Sequence, residues 1–179
     1  MISRGLAALC LAVVVLLGLP VASALACSGA DAQPGSVSKR VYTRAIECLV
    51  NEQRAGAGLG ALSHDRRLSR AAGRFSTSMV RERFFAHVSP EGSTLPGRAK
   101  AAGYTGGMLG ETIGWGAGAL ATPAAIVRAW MDSPPHHAVL MSGAFRLIGP
   151  GVAMGSPAGL GGAVSAGIGA WSRARSRAS

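Results

Sequence analysis

Apolar residues recur at helical spacing through the first half of this chain and in short extended runs through the second. From Ser38 onward, Val41, Ala45, Cys48 and Leu49 fall at i, i+4, i+7 and i+8, which predicts an amphipathic helix buried along those four positions. Gly56 and Gly58 stop it. Ser63 stands where it can cap a second helix, with Leu68, Ala71, Ala72, Phe75 and Met79 as its apolar stripe. Arg66, Arg67, Arg70 and Arg74 face outward, and the helix ends near Phe84. "FFAHVSPEGST" (84–94) is then a loop. Thr94 and Pro96 start a short third helix that stops at Gly103. "GGMLGETIGWGAG" (106–118) is glycine-rich with an apolar centre, as suits an extended segment packed closely by other backbone. Thr122 and Pro123 open a fourth helix carrying Ile126, Val127 and Trp130. In "MDSPPHHAVLM" (131–141), Pro134 and Pro135 end that helix and begin another. "RLIGPGVAM" (146–154) reads as a strand in which Pro150 marks an edge or bulge, and "GAVSAGIG" (162–169) pairs with it as a hairpin. Trp115 and Trp130 are expected in the core. The order of elements predicts an α+β fold, helices packed on a small antiparallel sheet.

The ends of the chain differ from this body. Arg4, the apolar run Leu6 to Leu19, Pro20 and then Ala24-Leu25-Ala26 make a secretory signal pattern, with cleavage after Ala26. The apolar run is short for a membrane anchor. The organisation expected is a signal peptide at 1–26, an N-terminal arm at 27–38, one domain at 39–171 and a basic tail at 172–179. Cleavage would leave Cys27 first. A lipid anchor through Cys27 is the alternative to a freely secreted protein. Cys10 leaves with the signal, and two cysteines in an exported chain point to a Cys27–Cys48 disulfide, against a buried free thiol at Cys48.

Charge adds one constraint. The net charge is +10, or +9 without Arg4. That suits anionic partners such as an envelope polymer or lipid surface. Nucleic acid is not expected, because the arginines are dispersed and aromatic stacking residues are few. The glycines at 106–118 lack the Lys and Ser/Thr of a phosphate loop. No Gly-x-Ser-x-Gly turn surrounds Ser89 or Ser133, so neither reads as a hydrolase nucleophile.

Three residues carry candidate chemistry: His87, Glu111 and His136. Each lies in an irregular or glycine- and proline-rich stretch, where scaffolds display functional groups. Two histidines and a carboxylate can ligate a divalent cation. They can equally form a hydrogen-bonded acid/base set, or cross-link loops with no further role. His137 is expected on the surface, and His64 partly buried at a helix start.

The sequence resembles the CAP superfamily (cysteine-rich secretory, antigen 5, pathogenesis-related-1), especially small secreted bacterial members. The pieces that carry the likeness are "LVNEQRAGAGLGAL", "HDRRLSRAAGRFSTSM", "FFAHVSPEGST", "AAGYTGGMLGETIGWG", "IVRAWMDSPPHHAVLM" and "FRLIGPGVAMG", in family order across about residues 41–170. The resemblance implies an α-β-α sandwich with a central cleft lined by His87, Glu111 and His136. It implies zinc or another divalent cation on the histidines of some members. Relatives have been linked to sterol and lipid binding, proteolysis, and cell-wall or host interaction. The chain departs from the pattern at Ser133, where many members carry a second Glu, and at Thr112, where Asn is usual. It departs again at Pro135-His136-His137-Ala138-Val139, where bacterial members have Gly-His-Arg-Ala-Asn, and at His64, where a Trp is usual. The expected protein is a secreted, monomeric ligand-binding or envelope-associated module, its ligand a lipid or envelope component. The alternative is a metal-dependent hydrolase with Glu111 as general base.

Overall fold

The computed structural model describes residues 27–159 and, as backbone, residues 163–170. The expected signal peptide and basic tail lie outside the described residues.

Helix α1 spans Lys39–Gly56, with the Ser38 hydroxyl accepting from the Val41 N–H. Its buried face is Tyr42, Ala45, Ile46, Val50 and Arg54. This face is turned about one residue from the expected Val41–Ala45–Cys48–Leu49 stripe. The N-terminal arm is the reason. Cys27 is bonded to Cys48, a Cβ on Gly29 would stand 2.9 Å from the Val41 side chain, and the Ala30 carbonyl accepts from Ala124 N. Positions 41 and 48 are therefore covered by the arm, and the next positions round the helix enter the core.

Ser63 does not cap the second helix. Ser63–His64 is a short strand, β1, and α2 (Arg66–Arg81) is capped by Asp65, whose side chain accepts from Arg67 N and Leu68 N. The expected stripe of Leu68, Ala71, Ala72, Phe75 and Met79 is buried. Helix α3 is Leu95–Ala101, capped by Thr94; β2 is Leu109–Gly116; a 3₁₀ turn covers Gly118–Ala121. Helices α4 (Pro123–Asp132) and α5 (Pro134–Leu140) meet at Ser133. "RLIGPGVAM" is two strands, β3 (Leu147–Ile148) and β4 (Gly151–Met154), because Pro150 has no N–H to give a ladder. Strand β5 is Ala163–Ala170.

The sheet runs β1-β3-β5-β2, with β4 also paired to β5. It is antiparallel except for the two-residue β1–β3 pair, which is parallel. One core joins α1, α4 and α5 to Ile148 and Val152. The other joins α2 and α3 to Tyr104 and Ile113. The result is an α-β-α sandwich. Glycines set its thickness: a Cβ on Gly151 would lie 2.1 Å from the Gly73 nitrogen of α2, and one on Gly114 would lie 2.8 Å from the Trp130 indole nitrogen. That nitrogen donates to the Ile113 carbonyl at 3.0 Å. No helix among the described residues is long and apolar enough to cross a membrane.

Candidate functional site

The 84–94 loop is closed on itself before it presents His87. Ser89 N donates to the Ser93 carbonyl, Ser93 N donates to the Ser89 hydroxyl, and Gly92 N donates to the Ser89 carbonyl. Ser89 is thus a buried loop staple. Arg98 of α3 then fastens the loop to the sheet. One guanidinium nitrogen donates to the His87 and Ser93 carbonyls, at 3.2 and 2.7 Å. The other donates to Glu111 Oε2 at 2.7 Å, and the guanidinium lies 3.4 Å over the Phe75 ring. Arg98 and Glu111 are nearly out of water, with side chains 8% and 3% exposed. Burying two charges is costly; the direct pair and the two carbonyl acceptors offset it, although Arg98 Nε is buried without a partner among the described residues.

Glu111 sits on β2 with Ile113, facing the α2–α3 layer. Its second oxygen, Oε1, accepts from His87 Nδ1 at 2.8 Å. A carboxylate that accepts from Nδ1 fixes a proton there, which in the neutral imidazole leaves Nε2 as the lone-pair atom. The His87 ring itself is 55% exposed.

His136 reaches the same region from the other layer. Thr122 and Pro123 start α4, Pro134 and Pro135 start α5, and Ser133 between them hydrogen-bonds His136 Nδ1 through its hydroxyl at 2.9 Å. Here too Nδ1 is taken. Burial pulls the His136 pKa below its usual 6.5, and repulsion from His87 adds to it.

The structure thus joins the site residues as two pairs, His87 with Glu111 and His136 with Ser133. Among the described residues these four make no hydrogen bond between the pairs. His87, Glu111 and His136 also do not bring three ligand atoms within 4.8 Å of one another; the group that does is Cys27, Cys48 and Glu52, whose sulfurs are already bonded together. Each imidazole is oriented through Nδ1, the arrangement by which a ring nitrogen Nε2 can serve as a metal ligand. Glu111, with both oxygens engaged, is not a ready third ligand.

Two expectations fail here. His64 is not partly buried in place of a Trp; it lies exposed and pairs with Glu47 at 2.8 Å. Trp115 is no core anchor; it follows Glu111 and Ile113 on β2 and is 37% exposed, because that end of the strand runs beyond the α2–α3 core. His137 is exposed as expected. Arg98 went unforeseen, yet Leu95, Arg98, Ala99 and Ala102 share the i, i+3, i+4, i+7 spacing of an inward face. An arginine on such a stripe signals a buried acidic partner.

Comparison with known proteins places the chain in a family and a fold. Residues 48–160 match the Cysteine-rich secretory protein family, CAP. The uncharacterized protein YkwD of Bacillus subtilis is 33% identical over 118 residues, covering 66% of this chain and 44% of its own length. The chain therefore spans less than half of that relative. An extracellular SCP-domain protein of Bacillus anthracis superposes with a TM-score of 0.61 at 21% identity, over 76% of this chain and 45% of that one. An outer surface protein of Borrelia burgdorferi gives 0.66 at 17%, over 76% and 97%. At these identities the two structures speak for the fold alone.

Proposed function

Since the chain belongs to the cysteine-rich secretory protein family, we propose that it is an exported binding module whose cleft holds a divalent cation, such as zinc, between His87 and His136. The observation that carries this reading is the state of the rings. In both, Nδ1 is held by the protein, at 2.8 Å by Glu111 and 2.9 Å by Ser133, and Nε2 makes no hydrogen bond among the described residues. Rings fixed through Nδ1 and bare at Nε2 are the usual posture of imidazole ligands. Two protein ligands imply modest affinity, with water or the module's own ligand filling the remaining positions. A lipid or envelope component is the ligand class we favour. Export is consistent with the signal-like start of the sequence and with neighbours described as extracellular or outer-surface proteins.

A hydrolase using Glu111 as general base is less favoured. A base needs a free lone pair aimed at water. Both Glu111 oxygens already accept, one from Arg98 and one from His87. Its role in this reading is to position His87.

Zinc titration by calorimetry tests the proposal, on the parent chain and on His87→Ala and His136→Ala variants. Each variant is expected to weaken binding at least tenfold. Equal affinity in all three, or none in the parent, rejects the cation site.

A further inference from the structure

On the far side of α1 from its buried face lies a groove of about 820 Å³, walled by α1 and by the corner from β1 into α2. It shares no lining residue with the His87–His136 cleft. Arg40 and Arg44 stand one turn apart on the α1 wall, and Arg66, the first residue of α2, stands on the other. Between them, Glu47 takes His64 Nδ1 across the groove at 2.8 Å.

The three arginines line one groove and, unlike Arg67 and Arg81, are not taken by a carboxylate. Arg67 is paired with Asp65 and Arg81 with Glu82. Arg40, Arg44 and Arg66 have neither an ion pair nor a side-chain hydrogen bond among the described residues. The groove's three guanidinium charges face one carboxylate, Glu47, which is already engaged with His64. Its walls are fixed. Asn51 clamps α1 to the β1 side in both directions, donating to the Leu62 carbonyl at 3.0 Å and accepting from Leu62 N at 2.8 Å. The Cys27–Cys48 bond holds Ser28 at the groove. Like charges confined this way repel, and the repulsion is relieved by an anion that accepts from several directions at once.

We propose that this groove is a second site, one that binds phosphate groups. Guanidinium forks match phosphate oxygens bidentately. A planar carboxylate is satisfied by one fork, whereas a tetrahedral phosphate presents oxygens to both walls. At about 820 Å³ the groove is much larger than a single phosphate, so its ligand carries the phosphate on a larger body, either a lipid headgroup or a soluble or polymeric phosphate.

The test uses metal-free protein, dialysed after chelation, so it is independent of the zinc proposal. Pyrophosphate is titrated calorimetrically at low salt into the parent, the Arg40→Gln/Arg44→Gln variant, and an Arg74→Gln/Arg128→Gln control of equal net charge outside the groove. The groove variant is expected to bind at least tenfold more weakly and the control less than threefold. Arg66→Lys, which keeps the charge and loses the fork, is expected to fall between. These sites are exposed, and unchanged circular dichroism spectra are the check on folding. Vesicles of phosphatidylglycerol, with phosphatidylcholine for comparison, then separate the sources. Binding displaced by pyrophosphate assigns a lipid phosphate; pyrophosphate binding without vesicle binding assigns a soluble or polymeric one. No pyrophosphate binding by the parent, or equal loss in groove and control variants, overturns the proposal.

Discussion

Arg54 and Arg98 are both arginines withdrawn from water, one at the C-terminal end of α1 and one within α3. Arg54 is 1% exposed and donates only to main-chain carbonyls, those of Gly60, Leu140 and Ser142. Burial, and repulsion from Arg146, pull its pKa below the ordinary arginine value, though a guanidinium stays charged. Arg98 donates to carbonyls too, but also to a carboxylate that is shared with a histidine. The carbonyls that hold Arg54 do not titrate, so it is a fixed clamp between the end of α1 and the end of α5. The Arg98 region is wired to His87, so what binds or titrates at the site acts on the same bonds that hold the loop.

Three measurements sharpen or break that contrast. Arg98→Met leaves the buried Glu111 carboxylate uncompensated, and the expected loss is about 3–5 kcal/mol in urea unfolding. Zinc affinity should fall with it, because the His87 loop is released. Arg54→Met leaves three carbonyls without a donor, with an expected loss of about 2–3 kcal/mol. Here zinc affinity should stay within twofold of the parent. If both variants weaken zinc binding alike, the two arginines are the same kind of clamp and the distinction is wrong. The smallest effect concerns pH. The folded pKa of His136 lies below 6.5, so the unfolded chain takes up that proton first. The stability it contributes is therefore full above about 6.5 and is lost as pH falls through the lower folded value. His136→Gln should flatten the fall of the urea midpoint between pH 7.5 and 5, while Arg54→Met should leave its slope unchanged.

Much of this was legible in the sequence. The α2 stripe, the Thr94 and Thr122 caps and the break at Pro134-Pro135 are local signals, and the structure keeps them. What local pattern could not supply came from distant partners. The buried face of α1 depends on an arm 21 residues away in sequence, bonded at Cys48. Ser63 was drawn into a strand by the Arg146 carbonyl, which left the cap to Asp65. Glu111, His87 and His136 could be chosen as residue types in irregular or glycine- and proline-rich stretches, although Glu111 lies on β2 and His136 in α5. Their division into two Nδ1-anchored pairs depends on Arg98 and Ser133, which motif spacing did not single out as partners.

The glycine at position 114 has one further consequence. By letting the Trp130 indole lie against the β2 backbone, it seats α4, and through Ser133 it seats α5, at a separation set by main-chain atoms. Main-chain thickness does not vary with rotamer. The offset between His136 on one layer and His87 on the other is therefore settled during folding. A ligand that bridges the rings meets them with little conformational entropy left to lose, so its affinity reports fit to a preset gap rather than the cost of closing one.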